Sequence, residues 1–278
     1  MEVFGEEMDI MVELLNVYGG NGLGGSGSSG GAGLSGDDII VDNYRSIYGG
    51  DDVGGTGGSG VTGSNITVHN SGGILGGNGV NGGDGINGSN LFITNDNMIS
   101  GGYGIKQGGD AISGNQITLN NNGIVQGGYG PDGGCSVYGE DIHINNHDSV
   151  INGDIKLASI PVNGTNELII KNINNATAIN GGLMIGNGSS VYLSGKNSIF
   201  NGNISIDEDA SMNLSVGNAN VHANTITLKS DSWLNIDTSI KNWTQDYYTL
   251  LSSDTDNKQT TDGCRLCAEH SWRKPDTE

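Results

Sequence analysis

The sequence is poor in proline, cysteine and aromatic residues, and each shortage excludes a class of protein. Only 3 of its 278 residues are proline, 3 are cysteine and 5% are aromatic. The cysteines, Cys135, Cys264 and Cys267, do not form the even, spaced set of a disulfide framework. No run of 18 apolar residues is present, so we expect no transmembrane helix.

Positive charge is also scarce. The chain has 11 Lys and Arg against 31 Asp and Glu, which gives a formal net charge of -20. Nucleic acids and anionic membrane surfaces select basic faces, so neither is an expected partner. The acidic balance favours solubility and repulsion between neighbouring copies.

Glycine is the residue that is present in excess, with 51 copies. Each glycine loses much conformational entropy when it is ordered, so a folded glycine-rich chain needs a regular ladder of hydrogen bonds. A disordered chain is the competing interpretation, but disorder predicts no fixed register between distant residues.

The sequence does have such a register. Five anchor glycines are spaced 27, 25, 26 and 25 residues apart: Gly36, Gly63, Gly88, Gly114 and Gly139. Aliphatic residues stand at fixed offsets of -2, +3, +5 and +11 from each anchor, ending with Val137, Ile142, Ile144 and Val150 in the last repeat. Glycine recurs at +14.

This pattern predicts an all-β fold, a right-handed, single-stranded parallel β-helix of nine or ten coils. The aliphatics at +3 and +5 alternate with polar residues, as in a strand with one buried face. The aliphatics at -2 and +11 indicate two more short strands, and glycine permits the corners between them. Three strands in each repeat correspond to one triangular coil.

Asparagine stands at +7 in every repeat. We expect these side chains to turn inward at a corner and to bond to one another as a structural ladder of Asn43, Asn70, Asn95, Asn121 and Asn146. All variation in repeat length falls between +14 and the next anchor, so that corner accepts insertions. We therefore expect binding surfaces around 51–59 and 129–135.

The pattern divides the chain into segments. Residues 1–15 are expected to form a cap or an irregular segment. Coils of about 26 residues occupy 16–153 and coils of about 21 residues occupy 154–239, by the spacing of repeated aliphatics. Residues 240–257 are expected to close the solenoid. The tail 258–278 lacks the pattern, and we expect it to be disordered.

Three segments resemble a known family: Ile185–Leu193 (IGNGSSVYL), Ile206–Leu214 (IDEDASMNL) and Asp246–Ser253 (DYYTLLSS). Together with the glycine-rich coils, they look like the passenger region of bacterial autotransporters, nearest the pertactin-like and AIDA-like adhesins. The resemblance covers about 16–253 and rests on coil geometry. It implies export through both membranes and a place on the cell surface or in the medium. We expect this chain to lack both the signal peptide and the translocator barrel of that family.

Several short motifs suggest chemistry that their context does not support. The pair Cys264 and Cys267 lacks the second pair that a structural zinc site needs. The run from Gly127 to Asp132 (GGYGPD) begins like a calcium-binding nonapeptide, but the repeat here is near 26 residues. We therefore predict no metal, no cofactor and no catalytic residue.

The predicted function is a non-enzymatic, adhesin-type surface scaffold, whose partners are host or bacterial surface molecules or further copies of the chain. The alternatives are a carbohydrate-active β-helix enzyme and a non-functional remnant of a disrupted gene. A lyase-type site would combine carboxylates with a basic residue, and Arg45 with Asp51 and Asp52 is the nearest such group. We expect His69 and His143 to face outward from strands.

Overall fold

A computed structural model of the chain describes residues 8–12, 15–25, 27–147, 149–159, 166–172, 177–195, 198–215, 221–237, 251–254 and 265–268. These residues form strands joined by turns and bends, and they contain no helix. All pairings between the strands are parallel, with one strand of each pair about one turn further along the chain. The fold is therefore a parallel β-solenoid, as predicted.

The strands, in chain order, are β1 (Met8–Val12), β2 (Val17–Tyr18), β3 (Leu34–Ser35), β4 (Ile39–Asn43), β5 (Ser46–Tyr48), β6 (Asp52–Thr56), β7 (Val61–Asn70), β8 (Gly73–Leu75), β9 (Gly79–Asn81), β10 (Ile86–Asn95), β11 (Met98–Ser100), β12 (Gly104–Gln107), β13 (Ile112–Asn121), β14 (Ile124–Gln126), β15 (Val137–Asn146), β16 (Val150–Asn152), β17 (Ile155–Leu157), β18 (Glu167–Asn172), β19 (Thr177–Asn180), β20 (Leu183–Ile185), β21 (Ser190–Gly195), β22 (Ser198–Ile206), β23 (Ser211–Ser215), β24 (Val221–Leu228), β25 (Trp233–Asp237), β26 (Leu251–Ser253) and β27 (Arg265–Ala268).

The strands stack into three faces. The first face contains β1, β4, β18, β21, β23, β25 and β27 and the second halves of β7, β10, β13 and β15. The second face contains β2, β5, β8, β11, β14, β16, β19 and β26 and the first parts of β22 and β24. The third face contains β3, β17 and β20, the first halves of β7, β10, β13 and β15, and the last residues of β22 and β24. Each turn of the chain therefore contributes a short strand to each face.

The core is a set of aliphatic files that run along the axis. The file at +3 continues from turn to turn with every side chain at most 1% exposed: Ile39, Ile66, Leu91, Ile117, Ile142, Leu168, Val191 and Met212. Because complete burial of an aliphatic side chain contributes about 1.5–3 kcal/mol, each turn adds a similar increment of stability.

Seven turns separate Ile39 in β4 from Met212 in β23, and they form the body of the solenoid. The prediction of nine or ten coils was too high. It counted the outer rungs, of which β1, β25 and β27 pair in register with the body. Parts of the turns that connect these outer rungs lie outside the described residues.

The corner before the first face is made by left-handed residues. Five residues that stand one before the +3 aliphatic have φ between 47° and 55°: Asp38, Asn65, Asn90, Gln116 and Asp141. Asp and Asn tolerate this conformation better than most other side chains, which explains why they occupy four of these five positions. In later turns Gly188, Asp209 and Asp231 serve the same purpose.

One predicted core position is wrong by one residue. Val150 was assigned to the +11 file, but Val125 pairs with Ile151, which is fully buried, whereas Val150 is 39% exposed. The chain between Asn146 and the next strand carries one extra residue. Ser149 occupies the additional space, where it is buried and bonds to the carbonyl oxygen of Asn121 at 2.8 Å.

Two terminal segments differ from expectation. Met8–Val12 was expected to belong to a cap or an irregular segment, but it forms β1 and pairs with β4. Arg265–Ala268 was expected to be disordered, but it forms β27 and pairs with β25. Among the described residues there is no helix with the length and apolar character needed to span a membrane.

Candidate functional site

The five predicted ladder asparagines lie at one corner, between the first and second faces. Each is fully buried, and in the first four the Nδ2 donates to the Oδ1 of the asparagine one turn later, whereas the Nδ2 of Asn146 is buried without a hydrogen-bond partner among the described residues. The four distances lie between 2.7 and 3.0 Å. The members of this asparagine ladder are Asn43, Asn70, Asn95, Asn121 and Asn146.

The ladder also holds the backbone of the corner. Asn43, Asn70 and Asn95 donate a second hydrogen bond to the carbonyl oxygens of Gly73, Met98 and Ile124, at 3.0–3.1 Å. The acceptors are the first residues of β8, β11 and β14, so these bonds fix the start of each strand of the second face. Because the side chains are enclosed, the asparagine ladder supports the fold and offers no surface to a ligand.

The corner that accepts insertions is built quite differently from a loose loop. A glycine pair leaves the second face in each turn, a short loop follows, and a second glycine pair returns. One glycine of each pair takes part in a continuous series of backbone hydrogen bonds, in which outgoing and returning pairs alternate. Each glycine in the series donates its N–H to the carbonyl oxygen of the preceding member, at 2.7–3.0 Å. The members are Gly20, Gly31, Gly50, Gly58, Gly77, Gly83, Gly102, Gly109, Gly128 and Gly134. We call this file the glycine ladder.

From Gly50 to Gly134, only glycine fits in the glycine ladder. A Cβ added at Gly50, Gly77 or Gly102 would overlap the carbonyl oxygen of the glycine below it. The close approach of successive backbones therefore explains why the sequence keeps paired glycines at this corner.

The glycine ladder closes the base of each loop. The loops comprise residues 21–29, 51–56, 78–81, 103–107 and 129–132. When the loop is removed from each repeat of 27, 25, 26 or 25 residues, 21 residues remain every time. All of the length variation therefore lies outside the solenoid wall.

The stacked loops form a ridge along the solenoid. Strands β6, β9 and β12 pair in parallel as a separate sheet within it. Val53, Val80 and Ile105 each directly follow a paired residue of this sheet, in the stretch where the register shifts, and Leu23 and Pro131 stand at the equivalent positions of the outer loops. Leu23, Val53 and Ile105 are 102%, 82% and 57% exposed. We call this apolar file the crest, and it spans about 19 Å if neighbouring turns lie ~4.8 Å apart.

A groove of about 730 Å³ lies between the ridge and the second face. Glycines of the outgoing pairs form its floor. Tyr18, Tyr48 and Leu75 line one side, and the rings of Tyr18 and Tyr48 stack with centroids 4.9 Å apart and planes 5° apart. Tyr103 and Tyr129 line the side near the ridge.

The ridge side of the groove is ordered by a file of polar residues. The Oδ1 atoms of Asn21, Asp51 and Asn78 accept the backbone N–H groups of Asp51, Asn78 and Tyr103, at 3.0, 2.6 and 2.9 Å. Each turn therefore fixes the position of the next residue in the file. Asp51 is the one charged residue among those that line the groove in the described part of the chain.

Asp52 lies beneath the ridge and not on its surface. Its side chain is 1% exposed, and its Oδ1 accepts the N–H of Gly54 at 3.0 Å. The neighbouring Ser28 hydroxyl and the Gly54 backbone N–H hold the pKa of this carboxyl below its ordinary value. Asp52 therefore stabilises the loop at residues 51–56.

A second acidic file follows the returning glycines. Burial raises the pKa of Asp84, and it raises the pKa of Asp110 to about 6 despite the hydrogen bond that Asp110 accepts from the N–H of Cys135 at 2.6 Å. Burial and the neighbouring Asp110 carboxylate also raise the pKa of the Cys135 thiol to about 12. This thiol is therefore protonated near neutral pH and a poor nucleophile.

The residues considered for a lyase-type site are distributed over different corners. Arg45 follows the asparagine ladder, and its N–H lies 3.2 Å from the Asn43 Oδ1, whereas Asp51 lines the groove and Asp52 is buried. Within the described ranges, no three His, Cys, Asp or Glu side chains are grouped as metal ligands. Cys264 lies outside those ranges.

The predicted outward histidines do face solvent. His69 lies 2.7 Å from Asp42 and is 56% exposed, and His143 lies 3.7 Å from Glu167 and is 47% exposed. A depression of about 340 Å³ on the first face is lined by His143 and Glu167, and Asp141 also borders it.

The expected surfaces at 51–59 and 129–135 lie on the ridge and beside the groove, but the ridge and groove themselves were not predicted. One signal for them is present in the sequence. The returning pairs, such as Gly57–Gly58 and Gly82–Gly83, end five residues before each following anchor glycine.

Comparison with known proteins gives a match to one family model over a short stretch of the chain. Residues 233–260 match the family model described as VirG insertion domain (VID), a stretch that begins with β25 and includes β26. No curated protein and no solved structure matches the chain. The short match and the parallel β-solenoid together fit a passenger-like domain related to autotransporters.

Proposed function

We propose that the chain is a non-enzymatic, adhesin-type passenger scaffold, which displays the ridge and the groove on a cell surface or in the medium. The observation that carries the proposal is the ridge. Its crest exposes the aliphatic side chains of Leu23, Val53 and Ile105, while the wall behind it has a core of buried aliphatic side chains.

Exposed apolar residues in a continuous file are unusual on a chain of this charge. Single exposed aliphatics need no explanation, but contiguous ones are typical of interaction surfaces. A file of similar residues also repeats one weak contact at each turn, so an extended partner gains by binding several turns at once.

Adhesion of displaying cells tests this proposal. The chain is joined to a signal peptide and an autotransporter translocator in a non-adherent bacterium, and attachment to host cells and to like cells is counted. The double variant Val53→Ser with Ile105→Ser alters the crest, and Phe92→Ser on the first face is the matched control, because Phe92 is 56% exposed and Ile105 is 57% exposed.

We expect the crest variant to lose most of the attachment and the Phe92 variant to keep it, at equal surface levels measured with an epitope tag. Equal attachment of cells with and without the displayed chain would contradict the proposal.

A carbohydrate-active enzyme is the second candidate, and the depression beside His143, Asp141 and Glu167 is where its chemistry would take place. An acid and a base within one cleft are the minimum for glycosidic cleavage. Release of reducing ends from polysaccharides by the purified chain, abolished by Glu167→Gln, would favour this candidate over the scaffold.

A further inference from the structure

The groove beside the ridge has the shape of a site for an extended molecule. Its floor of outgoing glycines carries no side chains, and its walls repeat at each turn along the axis. The groove is open along its length, in contrast to the enclosed pockets that surround most small ligands.

The walls combine aromatic rings with amide groups. Tyr18, Tyr103 and Tyr129 are 66%, 53% and 70% exposed, so their rings are accessible to a ligand. The Asn21 and Asn78 side chains are also exposed, and their Nδ2 atoms have no hydrogen-bond partner among the described residues. Apolar ring surfaces beside amide donors and a carboxylate suit a ligand with C–H faces and hydroxyl groups.

Two other extended ligands fit less well. A peptide that adds as a β-strand needs free backbone N–H groups, but those of Gly49, Gly76 and Gly101 already donate to Leu75, Ser100 and Gln126 at 2.8–3.0 Å. A polyanion would meet Asp51 in the groove and a net charge of -20 on the chain.

We propose that the groove binds a neutral, extended polysaccharide chain that lies parallel to the solenoid axis. Sugar rings stack on Tyr103 and Tyr129, and the hydroxyl groups bond to Asn21, Asp51 and Asn78. The inference rests on the proposed adhesin-type function, for which it names the class of ligand.

Calorimetric titration of the purified full chain tests the inference. The probes are hexasaccharides of glucose, mannose, xylose and N-acetylglucosamine, with a heparin hexasaccharide as the polyanion and a glucosamine hexasaccharide as the polycation. An unstructured cationic peptide of similar length tests for binding through charge alone.

Tyr103→Ala is the groove variant, and Tyr44→Ala is the matched control, because Tyr44 lies outside the groove and is 54% exposed. We expect at least one neutral hexasaccharide to bind, with an affinity about fivefold to tenfold weaker for the Tyr103 variant and unchanged for the Tyr44 variant. Tyr129→Ala should weaken binding to a similar degree, and circular dichroism establishes that each variant is folded.

Failure of every neutral hexasaccharide to bind, equal loss in the Tyr44 variant, or stronger binding of heparin or of the cationic probes would overturn the inference. These outcomes are separable from a failure of the adhesin function. If cells attach through the crest but the purified chain binds no neutral glycan, the adhesin function stands and the polysaccharide ligand is refuted. Glycan binding without cell attachment gives the reverse result.

Discussion

Replacing Asn95 with alanine removes the middle member of the asparagine ladder and tests whether that ladder stabilises the fold. Asn95 accepts a hydrogen bond from Asn70 Nδ2 at 2.8 Å, and it donates to Asn121 Oδ1 at 2.8 Å and to the Ile124 carbonyl at 3.1 Å. All three bonds are lost in the variant, and two of the partners, Asn70 and Asn121, are fully buried.

The expected loss follows from this geometry. Each hydrogen bond contributes about 1 kcal/mol net, and more where its partner stays buried and unsatisfied, so three bonds give about 3–5 kcal/mol. Asn43 has a ladder neighbour on one side among the described residues, but it also donates to the Gly73 carbonyl and accepts the Arg45 N–H, so Asn43→Ala removes three bonds as well and should cost a similar amount. Asn122→Ala is the control, because that residue is exposed and should change stability by less than about 0.5 kcal/mol.

Urea unfolding followed by far-ultraviolet circular dichroism measures the three losses. Because repeat arrays can unfold in parts, hydrogen exchange should also show lower protection of the turns on either side of Asn95. A loss for Asn95→Ala no larger than for Asn122→Ala would refute the assignment of a stabilising role.

Three further outcomes are expected. Gly102→Ala would place a Cβ against the Gly77 carbonyl oxygen and should lower the melting temperature by several degrees. Gly133→Ala is the control and should leave the melting temperature unchanged, because the atom nearest to the added Cβ would be 4.0 Å away. Equal melting temperatures for the two variants would contradict a close-packed glycine ladder. Asp110 binds its proton more tightly in the folded chain than in the unfolded chain, so the free energy of unfolding should rise as pH falls from about 6 towards 3.8. Asp110→Asn should flatten this pH dependence in urea titrations. At pH 7 the same variant should add at most about 2 kcal/mol to the free energy of unfolding. Cys135 should react with iodoacetamide at pH 8 far more slowly than free cysteine, as peptide mass spectrometry will show, and rapid alkylation would contradict its raised pKa.

The features that follow from side chains were predictable from the sequence. The files that contain Ile66 and Val68 repeat because each turn needs the same buried aliphatics, and the register of the strands agrees with that spacing. Val150 was misplaced because Val150 and Ile151 are adjacent aliphatic residues, and spacing alone cannot choose between them. Only the neighbouring turn decides which of them enters the core.

The ridge and the groove could not be predicted from the sequence, for a different reason. Glycine has no side chain whose polarity marks the inside or the outside, and the glycine ladder depends on which backbone N–H meets which carbonyl. Gly58, for example, donates its N–H to Gly50 of its own turn and accepts the N–H of Gly77 of the next turn. The path of the backbone decides these partners, and the residue types do not. The groove walls then depend on the direction in which the loops leave.

The glycine ladder should allow the loops of the ridge to be exchanged for other segments. Because both ends of a loop are held by backbone bonds at its base, the wall of the solenoid has the same 21 residues whether the loop has four residues or six. A foreign peptide grafted between Gly77 and Gly82 would thus be presented in a defined place without a change to the hydrophobic interior.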